Sequence, residues 1–191
     1  DVLVDKQYGF REGHSTSMAL LKMLDNVSDE LDRGNYSVGV FIDLSKAFDT
    51  IDHSILLKKL FIYGIRDKAL EWFASYLSNR TQSVSIGDTL SAASKITCGV
   101  PQGSILGPLL FIIYINDIVK SSLLLKFIMF ADDTNLFLSH HSLNDLIELV
   151  NVELVKVTTW LRIKDTTKTR MCGSAEVSTL KRGSDRGKLP R

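Results

Sequence analysis

Phe130-Ala131-Asp132-Asp133 sets two adjacent carboxylates between two apolar runs, Leu123–Phe130 and Leu136–Leu138. The β-branched and aromatic content of these runs predicts two strands, so Asp132 and Asp133 fall at the turn of a hairpin. A third carboxylate, Asp43, ends another apolar run far upstream, Val38–Leu44. If that strand lies beside the hairpin, three acids converge. Two like charges about 4 Å apart repel by roughly 4 kcal/mol at an effective dielectric near 20, so such a cluster calls for a cation. Magnesium suits it, being held by one or two carboxylates together with substrate phosphates.

Asp-Asp between apolar runs is also ordinary turn chemistry, because the Asp side chain bonds nearby backbone and tolerates left-handed conformations. Its company separates the two readings. VGVFIDLSKAFDTIDH (Val38–His53) lies upstream and GVPQGSILGPLLF (Gly99–Phe111) lies between. In that order and spacing the three blocks resemble motifs A, B and C of reverse transcriptases, in wording close to the non-LTR (LINE-type, jockey-like) retrotransposon branch. QYGFREGHSTSMALL (Gln7–Leu21) is similar to the stretch those enzymes carry before motif A.

The resemblance implies an α+β polymerase palm, an antiparallel sheet backed by helices, with part of the fingers and with the thumb absent. It implies an RNA-directed DNA polymerase that adds dNTPs to a DNA primer 3′-OH on an RNA template. Asp43, Asp132 and Asp133 would be the catalytic, metal-ligating acids for Mg²⁺, with Mn²⁺ as a substitute. Leu44 (through its carbonyl), Phe48, Gln102 and Gly103 would contact the incoming nucleotide. Lys168 would be the general acid towards pyrophosphate. Phe48 stands five positions after Asp43, where the family places an aromatic ring against the sugar. The alternative is a non-enzymatic, retrotransposon-derived relic or binding fragment. A nuclear location follows from the family likeness, and an endonuclease and a thumb are expected elsewhere in the parent polyprotein.

Length and charge fit part of a larger enzyme. At 191 residues and 45% hydrophobic the chain can bury one sizeable core, whereas a polymerase cleft needs several subdomains. The first residue is Asp1 rather than Met, which suggests a cut from a longer reading frame. Net charge is +1, but Leu180–Arg191 holds five basic residues and one acid, leaving the remaining body at −3. A protein gripping duplex phosphates is expected to be basic along its cleft, so much of that surface is expected outside this chain. Residues 1–170 are read as one palm domain with partial fingers. Residues 171–191 are read as a divergent, disordered basic tail: divergent because Met171-Cys172-Gly173-Ser174 stands where the resembling family has a hydrophobic strand, and disordered because its end lacks apolar periodicity and is rich in Gly and basic residues.

No signal peptide or transmembrane run is visible, and Cys98 and Cys172 form no ligand spacing, which fits an intracellular protein. Ile105–Ile115 reads as a core helix. Leu20, Leu24, Val27 and Leu31 predict an amphipathic helix over 15–32. Helices are expected over 52–63 and 67–78 with Asp52 and Asp67 as caps, and Trp72, Phe73 and Tyr76 as core aromatics. Gln82–Ile86 and Lys95–Val100 predict a hairpin with Gly87-Asp88 as its turn. Ser142-Leu143-Asn144-Asp145 resembles a capping box opening a helix with one apolar stripe. His140 and His141, adjacent on extended chain, are expected to point apart and share no metal. Gly39 and Phe41 share a strand face with Asp43, which is expected to be the open side, with Gly39 allowing close approach of nucleic acid. Asp49 and Asp52 are expected as turn or cap residues.

Overall fold

The computed structural model describes residues 2–44, 46–164 and 174–180. Helix α1 (Thr16–Asp32) begins where Ser15 accepts the Met18 N–H, a serine N-cap. Strand β1 (Tyr36–Asp43) follows, then α2 (His53–Ile62), capped by Asp52 through the Ile55 N–H, and α3 (Asp67–Leu77). Arg66, not Asp67, holds the N-cap position of α3, and Asp67 takes a positive φ of 50° as its first residue. Four two-residue strands come next: β2 (Thr81–Gln82), β3 (Ser85–Ile86), β4 (Thr89–Leu90) and β5 (Ser94–Lys95). β3 pairs with β4 around the Gly87-Asp88 turn, and β2 pairs with β5 outside them. The first arm is therefore broken into two short pieces, and the second lies at residues 89–95 and not at the expected Lys95–Val100, where residues 96–100 form no strand; exposed side chains give the ribbon no core to lengthen against.

Helix α4 (Leu106–Ile115) runs into a 3₁₀ turn over Asn116–Ser121, and β6 (Lys126–Phe130) and β7 (Asp133–His140) form the expected hairpin. Helix α5 (Leu143–Lys164) returns along the sheet, and β8 (Ser174–Leu180) closes the order. The main sheet is antiparallel throughout, in the order β6-β7-β1-β8. β8 corrects the expectation of a tail disordered from residue 171, because Ser174–Leu180 pairs with the whole free edge of β1, from Asp43↔Ser174 to Ser37↔Leu180. An eight-residue apolar strand leaves a long row of unpaired backbone groups, and even a polar segment can satisfy them. The remaining tail lies outside the described residues.

Strand alternation sends Val38 and Val40 into the main core with Leu136, Leu138, Leu110, Phe111 and Ile115. α4 is buried nearly all round, as a helix without a polar face must be. Leu146, Val150 and Val157 form the buried part of the α5 stripe. The opposite sheet face is covered as well, and here the structure departs from the sequence reading. Ala19, Met23 and Val27 of α1 pack on Ile128, Phe137 and Phe41, burying Gly39. A Cβ on Gly39 would stand 3.0 Å from the Phe137 ring, so glycine here admits the edge-on Phe41–Phe137 pair rather than nucleic acid. Leu20 and Leu24 of the predicted stripe are exposed, because the helix is rotated to seat its smaller residues on the sheet. Trp72 is likewise exposed, stacked on Tyr76 with ring centroids 5.4 Å apart, while Phe73 and Tyr76 pack on the core. No helix among the described residues is long and apolar enough to cross a membrane.

The two kinds of leucine should separate in urea melts. Leu136→Ala, in a fully packed strand, is expected to lose about 2–5 kcal/mol. Leu20→Ala should stay within about 0.5 kcal/mol, since an exposed helical position loses little contact and Ala favours the helix.

Candidate active site

The β6–β7 hairpin closes at the Phe130↔Asp133 pair, so Ala131 and Asp132 alone make the turn. Two-residue hairpin loops need a positive φ, and Ala131 supplies it at 56°. A non-glycine residue held there costs on the order of 1–3 kcal/mol and persists only when its surroundings over-determine it. Those surroundings are the N-terminal segment. Gln7 and Met129 form a parallel bridge, fixed by the Lys6 carbonyl accepting the Met129 N–H and by the Tyr8 N–H donating to the Met129 carbonyl, each at 2.8 Å. Gln7 is 1% exposed, and its Oε1 accepts the Ala131 N–H at 3.0 Å.

β1 and β7 pair up to Ile42↔Thr134, so the next residues, Asp43 and Asp133, end level with each other. By alternation they share the face of Phe41 and Phe137, one step past the cover of α1. Asp43 and Asp133 are exposed and Asp132 is half-buried. Although the residue is largely open to solvent, partial desolvation of its carboxyl at the strand end comes first in raising Asp133 above its ordinary value, followed by the charges of Asp132 and Asp43. The β1–β7 register and the two-residue turn bring the three acids to one rim of the sheet. An all-oxygen, like-charged cluster at a solvent-open rim is the donor set that suits Mg²⁺ or Mn²⁺.

The segment after β1 folds back under a second loop. Residues 46–50 form turns, as expected for Asp49, and Lys46 has a φ of 54°. The Gly99 N–H donates to the Ile51 carbonyl and the Val100 N–H to the Phe48 carbonyl, both at 2.8 Å. Gly99 has a φ of 85°, and a Cβ there would meet the Asp49 backbone at 2.8 Å, so only glycine lets the two loops touch. The contact brings Gln102 Nε2 to the Asp49 carboxylate at 2.8 Å. Gly103 is exposed with a φ of 79°. Ser104 Oγ donates to the Pro101 carbonyl and accepts the Gly107 N–H, which turns the loop into α4.

Phe48 is half-buried, 4.6 Å between ring centroids from Phe111 and edge-on to Phe10 at 6.4 Å. Leu44 is buried in the core. Lys168 lies outside the described residues. A cleft of about 650 Å³ beside Gln102 is lined by Lys46, Arg80 and Lys95 among others. These cations escaped the sequence reading because nothing in their spacing links Lys46, in the loop after β1, to Arg80 and Lys95 at the base of the ribbon. Gln7 escaped for the same reason, being 124 residues from its partner.

His140 and His141 do not diverge as expected. Their ring centroids are 4.2 Å apart, and one ligand atom of each lies within 4.8 Å of one from Asp145. Strand alternation has already ended there, because the Ser142 N–H donates to His140 Nδ1 and turns the chain into α5. His140 thus takes the reciprocal arm predicted for Asp145, while Ser142 Oγ accepts the Asp145 N–H at 3.4 Å.

Raising the folded-state value of an acid means that the native state holds the proton more firmly than the unfolded chain does. The contribution of Asp133 is therefore most favourable below its ordinary value of 3.8 and is lost as pH rises through the folded value. Without divalent cation, Asp133→Asn should flatten that slope and exceed wild type in stability at neutral pH. Urea melts from about pH 3 to about pH 8 measure it, and parallel curves for the two proteins would contradict the coupling.

The sequence profile of the family described as reverse transcriptase (RNA-dependent DNA polymerase) matches residues 1–180. The chain is 31% identical over 177 residues to the probable RNA-directed DNA polymerase from transposon BS of Drosophila melanogaster, covering 84% of this chain and 18% of that protein. It is 35% identical over 117 residues to the RNA-directed DNA polymerase from mobile element jockey of the same species, covering 58% of this chain and 12% of that protein. The chain thus spans less than a fifth of these relatives. Among solved structures, an apo telomerase from Candida tropicalis superposes with a TM-score of 0.64 at 13% identity, over 96% of this chain and 38% of the other. A Candida albicans telomerase in complex with a fragment of telomeric RNA gives 0.56 at 18% identity, over 78% of this chain and 29% of the other. Those likenesses establish an α+β polymerase-like fold, and the profile match with the retrotransposon relatives places the chain in the reverse transcriptase family.

Proposed function

We propose that this chain is the palm portion of a non-LTR retrotransposon RNA-directed DNA polymerase, joining dNTPs to a DNA primer 3′-OH on an RNA template. The observation that carries the reading is geometric: β1 and β7 end level at Asp43 and Asp133, and the two-residue turn sets Asp132 beside them. Asp43, Asp132 and Asp133 would hold Mg²⁺, with the Leu44 carbonyl as a further oxygen. The bound cations would lower the pKa of the attacking hydroxyl and neutralise the leaving pyrophosphate. The chain's own part is to hold the reacting groups in line. Lys168 would protonate the leaving pyrophosphate.

Gln102 and Gly103 would lie against the incoming nucleotide and template. With its Nε2 donating to Asp49, Gln102 leaves Oε1 free to accept. Lys46, Arg80 and Lys95 would attract nucleic-acid phosphates towards the adjoining cleft. A nuclear site of action and the separate endonuclease and thumb follow from the retrotransposon reading.

Restored to its flanking segments, the enzyme should lose primer extension on RNA template in Asp132→Asn or Asp133→Asn, with primer-template binding kept within a few-fold. Asp49→Asn should be milder. Damage from Asp49→Asn equal to that from Asp43→Asn would reassign the working acid of the β1 end.

Phe48 is proposed as the residue that excludes a 2′-hydroxyl. Its ring is stiffened by Phe111 behind and Phe10 at the edge, so it can act as a rigid wall. Phe48→Val should raise ribonucleotide relative to deoxynucleotide incorporation by at least about tenfold, corresponding to ~1.4 kcal/mol of lost discrimination. Single-nucleotide extension with matched rNTP and dNTP reads this ratio. A slower enzyme with an unchanged ratio would make Phe48 a packing residue only.

A further inference from the structure

Gln7 occupies a position that packing alone does not require of a polar residue. It is 1% exposed, yet both ends of its amide are hydrogen-bonded. Oε1 accepts two N–H groups, from Ala131 at 3.0 Å and from Gly9 at 2.8 Å, and Nε2 donates to the Ala131 carbonyl at 3.4 Å. One side chain thus holds both polar groups of the left-handed residue immediately before Asp132. A neutral amide offers acceptor and donor together at the end of one side chain. A glutamate would lack the donor and would add a buried negative charge beside three others. Gly9 completes the arrangement, since a Cβ there would fall 2.2 Å from the Ala131 nitrogen.

Mutual repulsion pushes the acids at this turn apart whenever no cation lies between them. A two-residue turn with a free Ala131 could yield to that push by rotating its peptide groups, and the direction of Asp132 would change with it. The Gln7 amide resists that rotation at the residue where it would begin.

We propose that Gln7 is the positioning residue of the carboxylate turn, clamping Ala131 so that Asp132 and Asp133 face Asp43 before any cation arrives. This rests on reading the three acids as a divalent-metal site. A preformed site does not have to be reorganised on binding, so the clamp should be visible in metal affinity and not only in stability.

Mn²⁺ is the probe, titrated into the full chain and followed by the electron paramagnetic resonance signal of the free ion, with amide hydrogen exchange at Ala131 measured on the same samples. Gln7→Met keeps the side-chain length and removes the amide's hydrogen bonds. Gly9→Ala keeps the amide and displaces the turn, and it carries the test if Gln7→Met does not fold. Asp132→Asn sets the baseline for a lost ligand. Each folded variant is expected to bind Mn²⁺ at least about fivefold more weakly than wild type and to lose protection at Ala131. Wild-type affinity in the folded variants, with Ala131 unprotected, would reduce Gln7 to a structural residue and overturn the proposal while leaving the metal site standing. Equal affinity in wild type and Asp132→Asn would instead remove the metal site, and the proposal with it.

Discussion

Three acids of one sign are held at one rim of this molecule against their own repulsion, and the architecture is organised around that restraint. β1 and β7 supply it. Their register carries Asp43 and Asp133 to the same level, and the tight turn beyond Phe130 leaves Asp132 beside them. The strands can serve as rigid arms because both faces are packed, by α4 and α5 on one side and α1 on the other. Without that double cover the hairpin would be a marginal pair, free to splay at its tip.

A second restraint fixes the loop that leads into α4. Two backbone hydrogen bonds and a glycine without room for a Cβ seat residues 99–100 on residues 48–51. The aromatic ring of Phe48 and the amide of Gln102 are thereby placed by the same contact, from opposite sides of it. Shape on this part of the molecule is set by close backbone approach, whereas at the carboxylates it is set by strand register and by the Gln7 amide on the turn.

Much of this was legible in the residues. The β6–β7 hairpin, the buried α4, the α5 stripe and the three acids follow from periodicity, turn residues and a recognisable series of motifs. What could not be read has a common physical cause. The Ser174–Leu180 strand is polar, so its place in the sheet depends on the vacant edge of β1 and not on its own pattern. The rotation of α1 depends on which side chains fit over Phe41 and Phe137, and the near contact of His140 with His141 depends on a cap that ends the strand. In each case the deciding partner is distant in sequence or is a backbone group, and periodicity reports neither.

The reach of the Gln7–Ala131 contact, 124 residues, has a consequence for how the molecule matures. Closing so long a loop is slow compared with forming the local β6–β7 hairpin, although its entropic cost grows only logarithmically with length. During synthesis the hairpin can form as soon as its strands emerge, but its turn stays unsupported until the first residues of the chain return to it. Assembly of the carboxylate rim is therefore a late event that depends on segments 124 residues apart. A shorter piece beginning beyond Gly9 would carry every acid and still lack the support that orients them.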